Sequence, residues 1–315
     1  MKIAVTGALG HIGSEFIRSI GNTYPNAEVL MFDNMMAQRY VSLFNLPEGV
    51  KYRFYETDVA QESIEPHLNG VDVVVHLAAI TNAAASFGVK EQTEKNNYDA
   101  TEKVAAACVK KSCPLIYIST TSVYGTQAEK VDENCTRDEL KPQSPYAETK
   151  LREEQLLNSL GKEHNLNYII CRFGTIFGTS PGMRFHTAVN KFCWQAVVGQ
   201  PITVWRTALH QVRPYLALSD AVRALHFIMR KKIYDRQIYN VLTTNVTVND
   251  ILDAIKKHVG DINIGFVDTK IMNQLSYHVL NDKFRKLGFE PEGDLAKDIK
   301  ATLVLLKNAR TGAVT

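Results

Sequence analysis

Thr6-Gly7-Ala8-Leu9-Gly10-His11-Ile12-Gly13, near the start of a 315-residue chain, decides the fold. The stretch follows the apolar run Ile3-Ala4-Val5 and precedes a helical pattern with Ile12, Phe16 and Ile17 on one side, so its glycines occupy a strand-to-helix turn. Backbone N–H groups and the helix dipole at such a turn favour a pyrophosphate. Glycine is needed where the turn is tight, where backbone approaches phosphate and where helix lies against strand; Gly7, Gly10 and Gly13 suit these tasks. The spacing, GxxGxxG, is one residue wider than the usual dinucleotide fingerprint, so its context has to strengthen it. A second apolar run, Val29-Leu30-Met31-Phe32, ends in Asp33, twenty residues beyond Gly13, where a carboxylate accepts hydrogen bonds from both adenosine ribose hydroxyls. A 2′-phosphate would be repelled there, which favours NAD over NADP, although Arg39 lies close enough in sequence to bind a phosphate. The plain alternative for Asp33 is a strand-end turn residue.

Apolar, β-branched runs recur at Ile3 to Val5, Val29 to Phe32, Tyr52 to Tyr55, Val71 to Leu77, Leu115 to Ile118 and Tyr168 to Cys171. Helical patterns fall at Ile12 to Ile20, Tyr98 to Lys111, Tyr146 to Ser159, Phe185 to Val198, Ser219 to Met229 and Val248 to Val259. The alternation predicts an α/β fold: a Rossmann-type doubly wound parallel sheet with a smaller C-terminal substrate-binding lobe. After Gly174 the pattern loosens, with a turn cluster at Gly178-Thr179-Ser180-Pro181-Gly182 and prolines at 201, 214 and 291. The expected division is residues 1–174 as the NAD-binding domain, with 214–241 returning to it, and 175–213 and 242–315 as the substrate-binding lobe. Ligands of open α/β sheets bind beyond the carboxyl ends of the strands, which puts the substrate in the crevice between the lobes.

Composition narrows the partners. Thirty-six Lys and Arg stand against 33 Asp and Glu, a net charge of +3, and the basic pairs near predicted helix ends read as solvated C-termini rather than a nucleic-acid stripe. Five cysteines, odd in number and without paired metal spacing, read as reduced thiols, and no metal site is expected. Met1-Lys2 runs directly into a strand with no secretory pattern, and the most apolar window, Val71 to Ile80, is far shorter than the ~20 residues that span a bilayer. A cytoplasmic protein without membrane or nucleic-acid partners is expected.

The chemistry lies further on. Tyr146 and Lys150 are four residues apart, on one face of a helix. An ammonium and a bound nicotinamide both stabilise a phenolate, and can bring a tyrosine from about 10 toward neutrality, where it serves as base for an alcohol losing hydride. Ile118-Ser119-Thr120-Thr121-Ser122-Val123-Tyr124-Gly125 closes the fifth predicted strand and offers a hydroxyl to the same oxygen.

With these motifs in place the chain resembles the extended short-chain dehydrogenase/reductases, specifically the NAD-dependent nucleotide-sugar epimerase/dehydratase family. Matching stretches are Thr6 to Gly13, Asp33-Asn34, Thr57-Asp58-Val59, His76-Leu77-Ala78-Ala79, Asn97, Ser119 to Gly125, Tyr146 to Lys150, Arg172 to Gly178, Arg213 to Asp220 and Tyr239-Asn240. The resemblance implies Thr120, Tyr146 and Lys150 as catalytic residues, with Ser119 and Thr121 competing for the place of Thr120. It implies a cofactor site of Gly7, Gly10, His11, Ile12, Gly13, Asp33 and Asn34, of Asp58 and Val59 beside the adenine, and of Leu77, Ala78 and Ala79 by the pyrophosphate. Asn97 is implied as a structural or cofactor-adjacent group, and Lys150 as a ligand of the nicotinamide ribose. His76 and His11 are not expected to be catalytic.

Three departures shape the functional expectation. Hexose dehydratases of the family carry Asp-Glu directly after the catalytic threonine, where this chain has Thr121 and Ser122, both assigned to the substrate side. Thr175 stands where an asparagine is usual, and Arg213-Pro214-Tyr215 keeps the arginine but loses the following acid, leaving Thr175 and Arg213 as substrate contacts. Arg184, Lys191, Arg206 and His210 add positive charge to the same lobe, or are surface groups. The resulting expectation is an NAD-dependent nucleotide-sugar 4-epimerase acting through a transient 4-keto intermediate. A dehydrogenase or ketoreductase using the same residues is the alternative, and a non-catalytic nucleotide sensor on the same fold is a further one. Members of the family pair through two helices, implying a homodimer through Tyr98 to Lys111 and Tyr146 to Ser159; Ala105, Ala106, Ala107 and Val109 serve either that interface or the core.

Overall fold

The computed structural model describes residues 1–81, 90–125, 130–267 and 276–309. In chain order the elements are β1 (Lys2–Thr6), α1 (His11–Thr23), β2 (Glu28–Asp33), β3 (Lys51–Glu56), β4 (Val73–His76), α2 (Lys90–Lys111) and β5 (Leu115–Thr120). A two-residue β6 (Lys130–Val131), α3 (Pro145–Glu163), β7 (Tyr168–Phe173), β8 (Thr175–Phe177), α4 (Ala188–Val198), β9 (Ile202–Trp205) and β10 (Val212–Ala217) come next. The rest comprises α5 (Leu218–Lys231), β11 (Ile238–Val241), β12 (Thr244–Thr247), α6 (Val248–Val259), β13 (Ile264–Val267), β14 (His278–Val279), α7 (Asp282–Arg285) and α8 (Leu295–Leu306).

Seven strands form one sheet in the order β11-β7-β5-β4-β1-β2-β3, all paired in parallel. Strand pleat sorts the side chains: Ile3, Val5, Val29 and Met31 face a core shared with Phe16, Ile17 and Leu225, whereas Ala4, Leu30 and Val74 face one shared with Val104, Ala105 and Leu157. One layer is thus α1 with α5, and the other α2 with α3. Strand order reverses between β1 and β4, and the crevice at the carboxyl ends of those strands is where such folds hold ligands.

The smaller lobe is built on a three-stranded sheet β12-β10-β8 and a pair β13-β9, with a separate core that includes Phe177, Phe192, Ile251 and Leu303. Residues 214–217 remain in β10 of that small sheet, pairing with β8 and β12. The return to the large sheet starts at α5, whose Ala221, Leu225 and Ile228 join the core of α1, and ends with β11 on its edge.

Helix boundaries show what periodicity misses. α2 begins at Lys90 rather than Tyr98, because its first two turns, Lys90 to Asn97, carry no apolar stripe. α4 starts at Ala188 rather than Phe185, with Thr187 extended before it. Ala105 and Ala107 are buried in the core, and Ala106 and Val109 are half-buried. All five cysteines are free, and no described helix is long and apolar enough to cross a membrane.

Candidate active site

A cavity of about 530 Å³ opens at the reversal point. Its floor is the glycine turn. Gly7 has φ +64° and a Cβ there would lie 2.6 Å from Ala78 N; one on Gly13 would lie 2.4 Å from Gly7 O. The turn closes through Gly10 N donating to Gly7 O at 3.0 Å, and Gly10 caps α1 without a side-chain acceptor, leaving N–H groups for an anion. Asp33 ends β2; its Oδ2 accepts from Leu9 N and its Oδ1 from Met35 N, both at 3.1 Å. It is thus both the turn residue and, with lone pairs to spare, a cavity acceptor. Burial pushes its carboxyl above the usual range, against those backbone bonds and Arg39.

Gly7, Gly10, His11, Ile12, Gly13, Asn34, Asp58, Val59, Leu77, Ala78 and Ala79 all border the same cavity. Asn97 does not: buried on α2, it donates to Ile80 O at 2.9 Å and accepts from Ile80 N at 2.8 Å, so it shapes the wall. His11 bonds through Nδ1 to Ser180 Oγ at 2.8 Å, and burial, then Arg184 and Arg39, push it down to about 3, so it is neutral. The groups present fit NAD: a phosphate cradle that a Cβ would fill, and a carboxylate at the ribose position.

At the other end β5 delivers the hydroxyls. Thr120 borders the cavity, its Oγ1 accepting from Ser122 N at 3.1 Å. Thr120 Oγ1 also donates to Ser122 Oγ at 3.2 Å; Ser119, which borders the cavity too, donates to Glu154 Oε1 at 2.5 Å, and Thr121 donates to Phe173 O at 3.3 Å. Thr121 is buried outside the cavity lining, whereas Ser122, Thr175 and Arg213 are part of it. Tyr146 and Lys150 lie on the first turns of α3, set by Pro145 and by Ser144 Oγ accepting from Ala147 N. The Lys150 ammonium stands 5.9 Å from the Tyr146 ring centroid. From the protein's own groups, burial pushes the Tyr146 phenol up while Lys150 and Arg184 pull it down; a nicotinamide cation would act with them.

A buried frame holds this end. Arg172 on β7 makes a two-pronged contact with Glu154, Nε to Oε1 at 3.0 Å and Nη2 to Oε2 at 2.7 Å, and its Nη1 donates to Tyr124 Oη at 3.0 Å. Tyr124 Oη donates onward to Asn240 at 2.9 Å. Burial opposes the Arg172 charge, but Glu154 outweighs it and keeps the guanidinium protonated.

Of the four cations named in the second lobe, Arg184 and Lys191 border the cavity, while Arg206 lies 4.8 Å from the Phe266 ring and His210 is exposed. Arg184 bonds Thr81 Oγ1, and burial followed by Arg39 pushes it down to about 10. His186 and Tyr277, which sequence reasoning missed, also border the cavity, and burial pushes the Tyr277 phenol up. Tyr277 has no flanking motif to reveal it.

Comparison with known proteins agrees with this architecture. Over 313 residues the chain is 28% identical to a trifunctional UDP-glucose 4,6-dehydratase/UDP-4-keto-6-deoxy-D-glucose 3,5-epimerase/UDP-4-keto-L-rhamnose-reductase of Arabidopsis thaliana, covering 96% of this chain and 46% of that protein. The chain thus spans about half the length of that plant relative. It is 30% identical to the uncharacterized UDP-glucose epimerase YtcB of Bacillus subtilis (strain 168) over 239 residues, 73% of each. Among solved structures, UDP-glucuronic acid 4-epimerase of Bacillus cereus with UDP-glucuronic acid and NAD superposes with a TM-score of 0.85 at 26% identity, covering 98% of this chain and 99% of that one. Residues 3–241 match the NAD dependent epimerase/dehydratase family, and with the phosphate cradle, Asp33 and the Tyr146–Lys150 pair in one cavity, the chain belongs to that family of enzymes.

Proposed function

We propose that the protein is an NAD-dependent nucleotide-sugar 4-epimerase working through a transient 4-keto sugar. One observation carries this reading: among the described residues, the only carboxylates bordering the cavity are Asp33, which ends β2, and Asp58, which follows β3, both on the far side of the glycine turn from Tyr146. Eliminating water from a hexose requires a further acid and base near the sugar, and the Thr121 and Ser122 hydroxyls are poor substitutes. Exchange at one carbinol needs less. Tyr146 takes the C4 hydroxyl proton and later returns it, Thr120 shares the hydrogen bond, and Lys150 steadies the phenolate. When bound, NAD supplies the hydride acceptor and donor. Arg213 and Thr175 border the substrate side.

Likeness to the Bacillus cereus 4-epimerase supports the reading, and the dehydratase named among the plant relatives is its rival. The experiment is incubation with UDP-glucose and UDP-glucuronic acid deuterated at C4, in ordinary water. A 4-epimer keeping its deuterium supports the proposal. A 4-keto-6-deoxy product, or net NADH release, refutes it and names a dehydratase or a dehydrogenase.

We also infer that residues 1–174 with the segment returning from α5 to β11 hold the cofactor and that the second lobe, in which β10 keeps residues 214–217, holds the sugar nucleotide. A homodimer through α2 and α3, which lie side by side on one face of the sheet, belongs to the same reading. A monomeric mass by light scattering at micromolar concentration would sink it. Free cysteines suit a reducing, cytoplasmic setting.

A further inference from the structure

Beneath the catalytic pair lies a charged group that the mechanism does not use. Glu153, on α3, is fully buried, and its Oε2 stands 3.1 Å from Lys150 Nζ. Tyr117 of β5 bridges the two: its hydroxyl accepts from Lys150 Nζ at 3.1 Å and donates to Glu153 Oε2. The other carboxylate oxygen accepts from Thr101 Oγ1 of α2 at 3.1 Å. Thr101 is in turn 3.2 Å from His76 Nε2, and His76 Nδ1 is 2.6 Å from Thr6 Oγ1, at the end of β1.

With Glu153 as acceptor, the hydrogens of this chain have a self-consistent arrangement. Thr101 gives its hydrogen to Glu153, so it accepts from His76 Nε2–H, and the remaining His76 nitrogen accepts from Thr6. Tyr117 likewise points its hydrogen at Glu153. In this arrangement every donor runs toward Glu153, which accepts from Tyr117, Lys150 and Thr101, and the chain joins the helix of the catalytic pair to the strand that feeds the glycine turn.

We propose that Glu153 is a positioning residue for the catalytic pair: it clamps the Lys150 ammonium beside Tyr146 and offsets part of the positive field that Lys150 lays on the phenol. The inference rests on Tyr146 acting as acid and base. Lys150 alone would favour the phenolate; a carboxylate beyond it opposes this, so Tyr146 stays a proton donor to higher pH and can return its proton to the sugar. The opposing influences agree in sign with this picture, Lys150 pulling the phenol down and Glu153 pushing it up. The charged and titratable groups around the pair are Lys150, Glu153 and Glu154 on α3, Tyr117 on β5, His76 on β4, and Arg184 after β8. His76 is neutral, pushed down to about 3 by burial and then Lys150, so Glu153 is the negative charge in direct contact with the ammonium.

The test reads the phenol directly. Near-ultraviolet tyrosinate absorbance of the NAD-loaded protein is titrated, and the signal of Tyr146 is taken as the difference from Tyr146→Phe. We expect Glu153→Gln to move this titration, and the ascending limb of kcat/KM with UDP-glucose or UDP-glucuronic acid, about one pH unit lower. Glu153→Asp moves both by less, and Tyr117→Phe, which keeps both charges, leaves them within about 0.3 unit. A Glu153→Gln titration unmoved, or moved higher, overturns the proposal; should that variant fail to fold, an unmoved titration in Glu153→Asp does the same. Tyr146→Phe with undiminished turnover sinks the acid–base reading itself, whereas an inactive Tyr146→Phe beside unmoved Glu153 variants sinks only the role of Glu153.

Discussion

His76 offers a stability measurement whose size follows from the structure. The ring is 2% exposed, accepts from Thr6 at 2.6 Å and lies 3.2 Å from Thr101 Oγ1. Burial, followed by Lys150, pushes it from 6.5 down to about 3. Its folded value is depressed, so the unfolded chain binds a proton that the folded chain refuses. The contribution of His76 is complete above about pH 6.5 and is lost as pH falls toward 3. Between pH 7.5 and 5 the loss is about 2 kcal/mol, since each pH unit below the unfolded value costs about 1.4 kcal/mol. Other groups titrate in the same interval with both signs, among them His11, pushed down to about 3, and Asp298, raised to about 6 mainly by burial. Comparison with His76→Gln cancels them, because the amide offers a donor and an acceptor but does not titrate. Urea unfolding followed by far-ultraviolet circular dichroism, at several pH values, gives the gap between the two proteins. We expect the variant to be less stable at pH 7.5 and the gap to close by about 2 kcal/mol at pH 5. A gap constant within about 0.5 kcal/mol would refute a neutral, proton-refusing His76.

Two further outcomes test the cradle and the frame. In Gly13→Ala the new Cβ would stand 2.4 Å from Gly7 O and 2.7 Å from Ala8 O, both backbone, so the turn must open and NAD affinity by calorimetry should fall at least about tenfold, ~1.4 kcal/mol; unchanged affinity speaks against the cradle. Glu154→Gln strips the countercharge from buried Arg172 and should cost about 3–5 kcal/mol in urea unfolding, much of it regained when Arg172→Met is added; no recovery in the double variant would show that the frame acts through shape rather than charge.

Much of the site was legible in the chain because local spacing fixes local geometry. The glycine turn and the carboxylate closing β2 need only a strand, a turn and a helix in succession, and Tyr146 and Lys150 share a face because a helix brings residues four apart together. Asn97 and Thr121 illustrate the limit of that reasoning. Both stand in stretches that match the family, yet one pins Ile80 and the other gives its hydroxyl to Phe173, since facing the cavity or the wall depends on neighbours from other segments.

By itself, then, the sequence determined the parallel sheet, the cofactor end and the Tyr146–Lys150 pair, all of which follow from periodicity and from steric demands on single glycines. Tertiary structure alone decided which distant groups stand over them: Arg184 and Tyr277 from the second lobe, and Tyr117, Thr101 and His76 converging on Glu153 from three separate elements. Spacing along a chain sets directions within one helix or strand. Meetings across the fold are set by how layers pack, and burial there, by removing water, gives a carboxylate and an ammonium their influence on a neighbouring phenol.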